Sequence, residues 1–124
     1  MAKKILIVDD EPSIIVALQL LMEQNGYETL VAFSGEEAME VVAQHRPDLI
    51  LLDIMLPVVD GFEVCQRVRE KAEWKDIRIV LVTALDRESN VAKGLALGAD
   101  AYVTKPFANA DLIAKVKELL ECRG

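Results

Sequence analysis

Aromatic residues are scarce in this sequence, which has three Phe, two Tyr and one Trp among its 124 residues. An all-β sandwich draws heavily on aromatic and β-branched side chains, whereas many aliphatic residues with few aromatics are typical of α/β packing. The length suits a single domain with one hydrophobic core. The composition therefore favours one α/β domain.

Long apolar runs are also absent. Only four apolar residues, Ile5–Val8, follow Lys3 and Lys4, too few for the apolar part of a secretory signal, and no run approaches a membrane span. The two cysteines, Cys65 and Cys122, lack the spacing of a metal or redox motif. We therefore expect a cytoplasmic protein that has free thiols and does not contact a membrane.

Basic residues are rare in the first half of the chain. Residues 1–62 hold three Lys and Arg against eleven Asp and Glu, a net charge of −8, and residues 63–124 hold eleven against ten, a net charge of +1. A nucleic-acid surface needs a basic face, so this distribution argues against direct binding of DNA or RNA. An acidic half instead suggests that the protein binds a cation.

Hydrophobic patterning predicts five strands that alternate with five helices. Short apolar runs bounded by turn residues are typical of strands that are covered on both faces of a parallel sheet. The predicted strands are 4–8, 28–32, 49–52, 77–83 and 101–103, and the predicted helices are 12–24, 35–45, 61–71, 87–97 and 109–122. With right-handed crossovers, this alternation predicts a doubly wound, flavodoxin-like (βα)5 fold whose five-stranded parallel sheet has the order 2-1-3-4-5.

Local signals support several of the helix ends. Pro12 suits a first helical turn, and Gly26 suits a left-handed C-cap. Ser34 and Glu37 have the spacing of a capping box at the start of the second helix. Asn109 is predicted to cap the last helix.

Polar side chains collect where the predicted strands end. Asp9 and Asp10 follow the first strand, Asp53 follows the third, Thr83 ends the fourth and Lys105 lies just past the fifth. The carboxyl ends of parallel strands share one edge, where open α/β sheets bind their ligands, so these side chains are predicted to meet. Three carboxylates repel one another, and Mg²⁺ relieves that repulsion because it takes oxygen ligands and commonly bridges carboxylates to a phosphate. A carboxylate nucleophile, Mg²⁺, a lysine and a hydroxyl are the parts that phosphoryl transfer needs.

These residues, in this order, resemble the receiver domain of bacterial two-component response regulators. The resemblance covers residues 1–124, and its motifs are Asp9-Asp10, Asp53 with Pro57 and Gly61, Thr83-Ala84, and Tyr102 with Lys105-Pro106. It implies a phosphorylation-activated signalling switch with no output domain in this chain. Such a switch promotes its own phosphoryl transfer and is not a turnover enzyme on a foreign substrate.

The resemblance implies a role for each acidic residue of the cluster. Asp53 would accept a phosphoryl group from a histidine kinase or a phosphotransfer protein. Asp10, Asp53 and the backbone carbonyl of Met55 would bind Mg²⁺, and Asp9 would act through a metal-bound water.

The resemblance also implies how the phosphoryl group would be sensed. Lys105, joined to Pro106 by a cis peptide bond, would pair with a phosphoryl oxygen. Thr83 would move to hydrogen-bond the phosphoryl group, Tyr102 would swing inward behind it, and the small side chain of Ala84 would leave room.

A downstream protein partner would then meet a changed surface, formed by the helix 87–97, the strand 101–103 and the helix 109–122. The stretch 98–102 is similar to that of DNA-binding regulators that dimerise through their last two helices. Those regulators carry two acidic residues before the tyrosine, whereas this chain has only Asp100. This difference weakens the similarity, and the expected partners still include a second copy of the chain in a phosphorylation-dependent dimer.

Two apolar residues depart from the most reactive receiver pattern. In receivers, the positions of Met55 and Leu85 help to govern self-dephosphorylation, and neither side chain can orient an attacking water by hydrogen bonding. The resemblance therefore implies a long-lived phosphorylated state.

Single residues also have simpler interpretations. Asp10 could act only as a helix cap, Thr83 could be an ordinary strand residue, Lys105 could be a surface lysine, and Tyr102 could be a static aromatic of an edge strand.

Three other functions compete for the whole chain. A small aspartate-nucleophile phosphatase usually carries an Asp-x-Asp motif after its first strand and a cap domain, whereas this chain has Asp9-Asp10 and no residues left for a cap. A receiver-like binding module that has lost phosphorylation usually lacks an acidic residue or the lysine, and both are present here. Flavin binding needs a phosphate loop, where Asp9-Asp10-Glu11 would repel a phosphate unless metal were bound.

Overall fold

Five strands and five α-helices alternate along the chain, as the sequence predicts. The computed structural model describes residues 2–121, so Cys122 and the predicted end of the last helix at 122 lie outside the described residues. The elements are β1 (Lys4–Val8), α1 (Pro12–Gln24), β2 (Glu28–Ala32), α2 (Gly35–His45), β3 (Leu49–Leu52), α3 (Gly61–Glu70), a 3-10 turn (Ala72–Trp74), β4 (Arg78–Thr83), α4 (Glu88–Ala96), β5 (Ala101–Thr104) and α5 (Asn109–Glu121).

The strands form one parallel sheet in the order β2-β1-β3-β4-β5, which confirms the predicted topology. In register, β1 pairs with β2 and β3, β3 pairs with β4, and β4 pairs with β5. All five carboxyl ends therefore lie along one edge, and that edge positions the site.

The core has two layers because successive strand residues point to opposite faces of the sheet. Ile5 and Ile7 pack with the buried side chains of α1 and α5. Leu6 and Val8 pack with those of α2 and α3, on the face that α4 also covers. Because helices cover both faces of the sheet, its strands are almost continuously apolar. In β3, for example, all four residues are buried.

The predicted helix-end signals are confirmed for the first two helices. Pro12 lies in the first turn of α1, and Gly26 follows that helix with a φ of +89°. At the start of α2, the amide of Glu37 donates to Ser34 Oγ at 3.1 Å, and the Glu37 carboxylate accepts from the amide of Phe33 at 2.6 Å. The last helix differs, because Ala108 supplies the carbonyl that accepts the Leu112 amide, and Asn109 is already inside the first turn.

Other boundaries shift by one residue from those predicted. β4 begins at Arg78, α3 ends at Glu70 and β5 extends to Thr104, where it still pairs with Thr83. α4 is shorter than 87–97 by one residue at each end. The turn Ala72–Trp74 was not predicted, and it exists because its apolar side, Trp74, is buried against the core.

The helices differ in how firmly they are anchored to the sheet. α1 and α5 each bury three large side chains, and α3 buries four: Ile15, Leu18, Met22; Leu112, Val116, Leu120; Phe62, Val64, Cys65, Val68. In α4, all of which is described, the one buried residue is Gly94. α4 therefore gains less from apolar burial than its neighbours do.

Within residues 2–121, no helix combines the length and the apolar character that crossing a bilayer would require.

Candidate functional site

Three carboxylates meet at the carboxyl edge of the sheet. Asp9 follows β1 and Asp53 follows β3, and together with Asp10 they offer oxygen atoms that all lie within 4.8 Å of one another. Asp9 and Asp53 are buried, with 2% and 7% of their surfaces exposed, whereas Asp10 is open to solvent. The predicted cluster is therefore present, with one of its carboxylates facing outward.

Lys105 reaches into this cluster from the segment after β5. Its Nζ donates to Asp9 Oδ2 at 2.8 Å and to Asp53 Oδ2 at 3.2 Å. Burial alone would lower the pKa of Lys105, but its hydrogen bond to Asp9 and the charges of Asp53 and Asp9 outweigh burial and raise the pKa. Lys105 is thus a charge partner of the site, joined to Pro106 by the predicted cis peptide bond.

Backbone amides hold the two buried carboxylates in place. The Met55 amide donates to Asp53 Oδ1 at 3.0 Å, and the Glu11 amide donates to Asp9 Oδ1 at 2.9 Å. A Cβ on Gly61 would overlap with the main chain of Asp53 and Ile54, so only glycine lets α3 begin this close to the site. Each buried carboxylate keeps one oxygen on an amide and presents the other toward Lys105.

Asp10 does not cap the first helix. The residue at the N-cap of α1 is Glu11, and no side-chain hydrogen bond caps that helix end. The carboxylate of Asp10 is exposed next to the two buried ones. Because oxygen donors with room for water are what Mg²⁺ prefers, the three carboxylates could hold such an ion.

Thr83 and Tyr102 lie next to the cluster on β4 and β5. Thr83 is fully buried, and its Oγ1 accepts from the Leu85 amide at 3.4 Å. The Tyr102 hydroxyl donates to the Leu85 carbonyl at 2.6 Å. Burial, followed by the charges of Asp86 and Asp53, raises the pKa of Tyr102, so its hydroxyl stays protonated and can donate.

The sequence did not indicate the structural roles of Leu85 and Gly94. The backbone of Leu85 joins Thr83 to Tyr102, and a backbone contact carries no side-chain signature. Gly94 lies where α4 approaches the sheet, and the available signal was an isolated glycine inside a helical pattern.

Asp100 is engaged within the chain. Its Oδ2 accepts from Arg69 Nη2 at 2.9 Å and from the Ile79 amide at 2.8 Å, and Arg69 Nε donates to the Gly98 carbonyl at 2.8 Å. We call this set the Asp100 clamp. It ties α3 to the starts of β4 and β5.

The fold and the acidic edge of the sheet define a class of signalling domain. A family model described as the response regulator receiver domain matches residues 5–117. The chain belongs to this family, as its motifs predict, and it is a phosphorylation-dependent signalling switch.

Individual relatives show the same similarity. The chain is 47% identical over 120 residues to PhoP of Bacillus subtilis (strain 168), an alkaline phosphatase synthesis transcriptional regulatory protein, and the match covers 97% of this chain and 49% of PhoP. The chain thus spans about half the length of that curated relative.

Solved structures of similar chains agree with the fold. A protein described as a response regulator of Chloroflexus aurantiacus J-10-fl is 36% identical with a TM-score of 0.92, and the match covers 97% of this chain and 98% of that one. The BeF₃-activated N-terminal receiver domain of RstA from Klebsiella pneumoniae is 34% identical with a TM-score of 0.90, and the match covers 96% and 99% of the two chains.

Proposed function

We propose that Asp53 is the phosphoacceptor of this receiver domain, which comprises residues 1–124. The observation that carries the proposal is the position of its carboxylate, which lies at the carboxyl edge of the sheet with one oxygen on Lys105. A histidine kinase or a phosphotransfer protein would be the donor. One Asp53 oxygen would form a bond to phosphorus while the bond between phosphorus and the donor's histidine nitrogen breaks.

Mg²⁺ is the proposed cofactor. Asp10, Asp53 and the backbone carbonyl of Met55 would bind it, and Asp9 would act through a metal-bound water. When bound, the ion would neutralise charge that develops on the transferring group. The cluster contains three carboxylates and one lysine, so a divalent cation would bring its formal charge to zero.

Lys105 and Thr83 are proposed to recognise the phosphoryl group once it is attached. The group would add about −1.5 to −2 charges and three acceptor oxygens beside them. Two or three charge-assisted hydrogen bonds, each worth about 1.5–3 kcal/mol, could supply the roughly 5.5 kcal/mol that a near-complete population shift needs. The free energy that shifts the populations could therefore come from contacts at the site itself.

Tyr102 would transmit the change to a downstream protein partner. The proposed surface consists of α4, β5 and α5, which correspond to the predicted segments 87–97, 101–103 and 109–122. A phosphorylation-dependent dimer through this surface belongs to the same proposal. Asp100 would contribute little to such a dimer, since the Asp100 clamp already engages its carboxylate.

We propose that the switch acts in the cytoplasm and is not a turnover enzyme. It promotes transfer to its own aspartate, and a small phosphatase would need a second water-activating group in the site. Met55 and Leu85, which flank the cluster, offer only apolar side chains. Failure to release phosphate from a generic phosphate monoester would agree with this proposal.

The test is intact mass spectrometry after incubation with acetyl phosphate, first with Mg²⁺ and then with excess chelator. We expect one added phosphoryl group that depends on Mg²⁺ and is lost in hydroxylamine, as an acyl phosphate is. The matched control is Asp53→Asn, which keeps the side-chain size and removes the nucleophile. An adduct of equal yield on that variant, or no adduct with Mg²⁺ on the wild type, would overturn the assignment.

A further inference from the structure

The first turn of α2 lies directly against the loop that follows Asp53. A Cβ at Gly35, the first residue of α2, would overlap with the Val59 carbonyl oxygen and would lie 2.9 Å from Val59 Cβ and Cγ1. The main obstacle is a main-chain atom, which cannot turn aside as the end of a long side chain can. Only glycine therefore lets α2 and Val59 come this close.

Residues 54–60 form a compact loop between β3 and α3. The Leu56 amide donates to the Ile54 carbonyl at 2.8 Å, and the Gly61 amide donates to the same carbonyl at 2.9 Å. Three of the loop's side chains are buried in the core: Ile54, Leu56, Val59. These bonds and contacts make the loop move as one piece, so a shift at Val59 reaches its other end.

That other end of the 54–60 loop belongs to the site. The Met55 amide donates to Asp53 Oδ1 at 3.0 Å, and Met55 is the central residue of the turn that the bond from Leu56 to Ile54 closes. The Met55 carbonyl is also a proposed ligand of Mg²⁺. A displaced loop would therefore move this carbonyl relative to the carboxylates.

The start of α2 is itself held in place. The Ala32 carbonyl accepts from the Asp9 amide at 3.2 Å, so the end of β2 is joined to the chain beside the site. The capping box of Ser34 and Glu37 fixes the first turn of α2. A methyl group added at Gly35 would therefore be accommodated mainly by movement of the 54–60 loop.

We propose that Gly35 is a positioning residue for the metal site, because its missing side chain lets α2 set the place of the 54–60 loop. This inference rests on the proposed function. Mg²⁺ demands nearly ideal octahedral geometry with short bonds, whereas Ca²⁺ accepts longer bonds and flexible arrangements of oxygen ligands. A loop displaced by Gly35→Ala should therefore impair the binding of Mg²⁺ more than that of Ca²⁺.

The experiment is a titration of ¹⁵N-labelled protein with MgCl₂ and, separately, with CaCl₂ at constant ionic strength, followed by NMR. The amide signals of Asp53 and Met55 report binding at the site. The indole signal of Trp74, which precedes β4 at the opposite edge of the sheet, reports that the rest of the fold is unchanged.

In Gly35→Ala, the Met55 amide signal is expected to be displaced before any metal is added. The dissociation constant for Mg²⁺ should rise about tenfold, as it does when a group that holds a ligand in place is lost. The constant for Ca²⁺ should change by about twofold or less. The Trp74 signal should stay where it is in the wild type.

Val42→Ala is the matched control. Val42 is fully buried about two turns further along α2, so the variant weakens the packing of the same helix without touching the 54–60 loop at Gly35. It should bind both ions as the wild type does.

The outcomes separate the two levels of the proposal. Absence of an Mg²⁺-dependent shift of Asp53 and Met55 in the wild type would overturn the proposed function. Mg²⁺ binding of wild-type strength in Gly35→Ala, or an equal loss for the two ions, would overturn the role of Gly35 alone. The same loss of Mg²⁺ binding in Val42→Ala would also overturn it, because the stability of α2 would then explain the effect.

A second variant covers the case in which Gly35→Ala does not fold. Val59→Ala removes Cγ1, an atom that an added Cβ would approach to 2.9 Å, and so loosens the same contact from the loop side without any overlap. A loss of Mg²⁺ binding that exceeds the loss of Ca²⁺ binding in Val59→Ala supports the inference. Wild-type affinities for both ions contradict it.

Discussion

Val58 has a backbone conformation that β-branched residues rarely adopt. Its φ is +65°, the Val59 amide donates to the Pro57 carbonyl at 2.8 Å across it, and 89% of its surface is exposed. The left-handed region costs a side-chain-bearing residue about 1–2 kcal/mol, and an exposed side chain recovers little of that through burial. Val58→Gly is therefore expected to raise the free energy of unfolding by about 0.5–1 kcal/mol, after the entropy cost of glycine.

Urea denaturation followed by circular dichroism would measure this gain. The matched control is Val59→Gly, because Val59 is 7% exposed and packs in the core. That variant should lose about 2 kcal/mol or more. A loss of stability in Val58→Gly would show that the turn is not strained.

The lifetime of the phosphorylated state depends on residues next to Asp53. Met55 is 55% exposed above the site, and its side chain cannot hydrogen-bond an attacking water. Leu85 on the neighbouring loop is equally apolar. We predict that the half-life of the phosphorylated protein in Mg²⁺ is longer than seconds and that Met55→Asn shortens it severalfold. Intact mass spectrometry over time would measure both half-lives. A half-life of seconds in the wild type would refute the prediction.

Among the elements, α3, β4 and β5 are joined by the Asp100 clamp. The side chains of Arg69 and Asp100 are 21% and 22% exposed, so their ion pair is largely shielded from water. Asp100→Ala would remove two hydrogen bonds and leave Arg69 without a carboxylate, with only the Gly98 carbonyl as its acceptor. We expect a loss of about 2–4 kcal/mol in the free energy of unfolding, measured with urea.

An exposed ion pair provides the comparison for this effect. Arg46 and Glu73 lie 3.2 Å apart, and their side chains are 64% and 53% exposed. Glu73→Ala should change the stability by about 0–1 kcal/mol, because water already screens this pair. Equal losses in the two variants would contradict a structural role for the Asp100 clamp.

Element order was predictable from the sequence because burial on both faces of a parallel sheet leaves a plain pattern. β3, with four apolar residues before Asp53, is the clearest case. The Asp100 clamp was not predictable, since Arg69 and Asp100 are 31 residues apart and neither belongs to a local motif. The Ala72–Trp74 turn was missed because three residues are too few to show a period.

The site was predictable to the extent that topology alone brings its residues together. Asp9, Asp53 and Lys105 meet because three parallel strands end on one edge, and each follows a strand in the sequence. The inward swing of Tyr102 on phosphorylation stays a prediction, and in this structure the Tyr102 hydroxyl donates to the Leu85 carbonyl. The orientation of the Tyr102 side chain depends on a backbone carbonyl 17 residues away, which no local pattern specifies.

For the whole molecule, the acidic cluster adds to a net charge of −7. An ion that binds only the folded state stabilises it by about 2.7 kcal/mol at a hundred times its dissociation constant. We predict that Mg²⁺ raises the melting temperature by several degrees, measured by calorimetry. NaCl of equal ionic strength should have a smaller effect, and Asp10→Asn should remove most of the Mg²⁺ effect. Equal effects of the two salts would show that Mg²⁺ acts only by screening.

The strand order also has a consequence for folding. Ile5 pairs with Leu49, 44 residues away, and the other pairings join residues 21 to 29 apart, so no strand can zip up through a tight hairpin. We expect β1 and β3 to form the folding nucleus at the centre of the sheet and α4 to join last. Native-state hydrogen exchange would test this order, and α4 amides as protected as those of β3 would contradict it. If α4 joins last, this helix, which belongs to the proposed partner surface, is also the part of the chain that opens most readily without unfolding the rest.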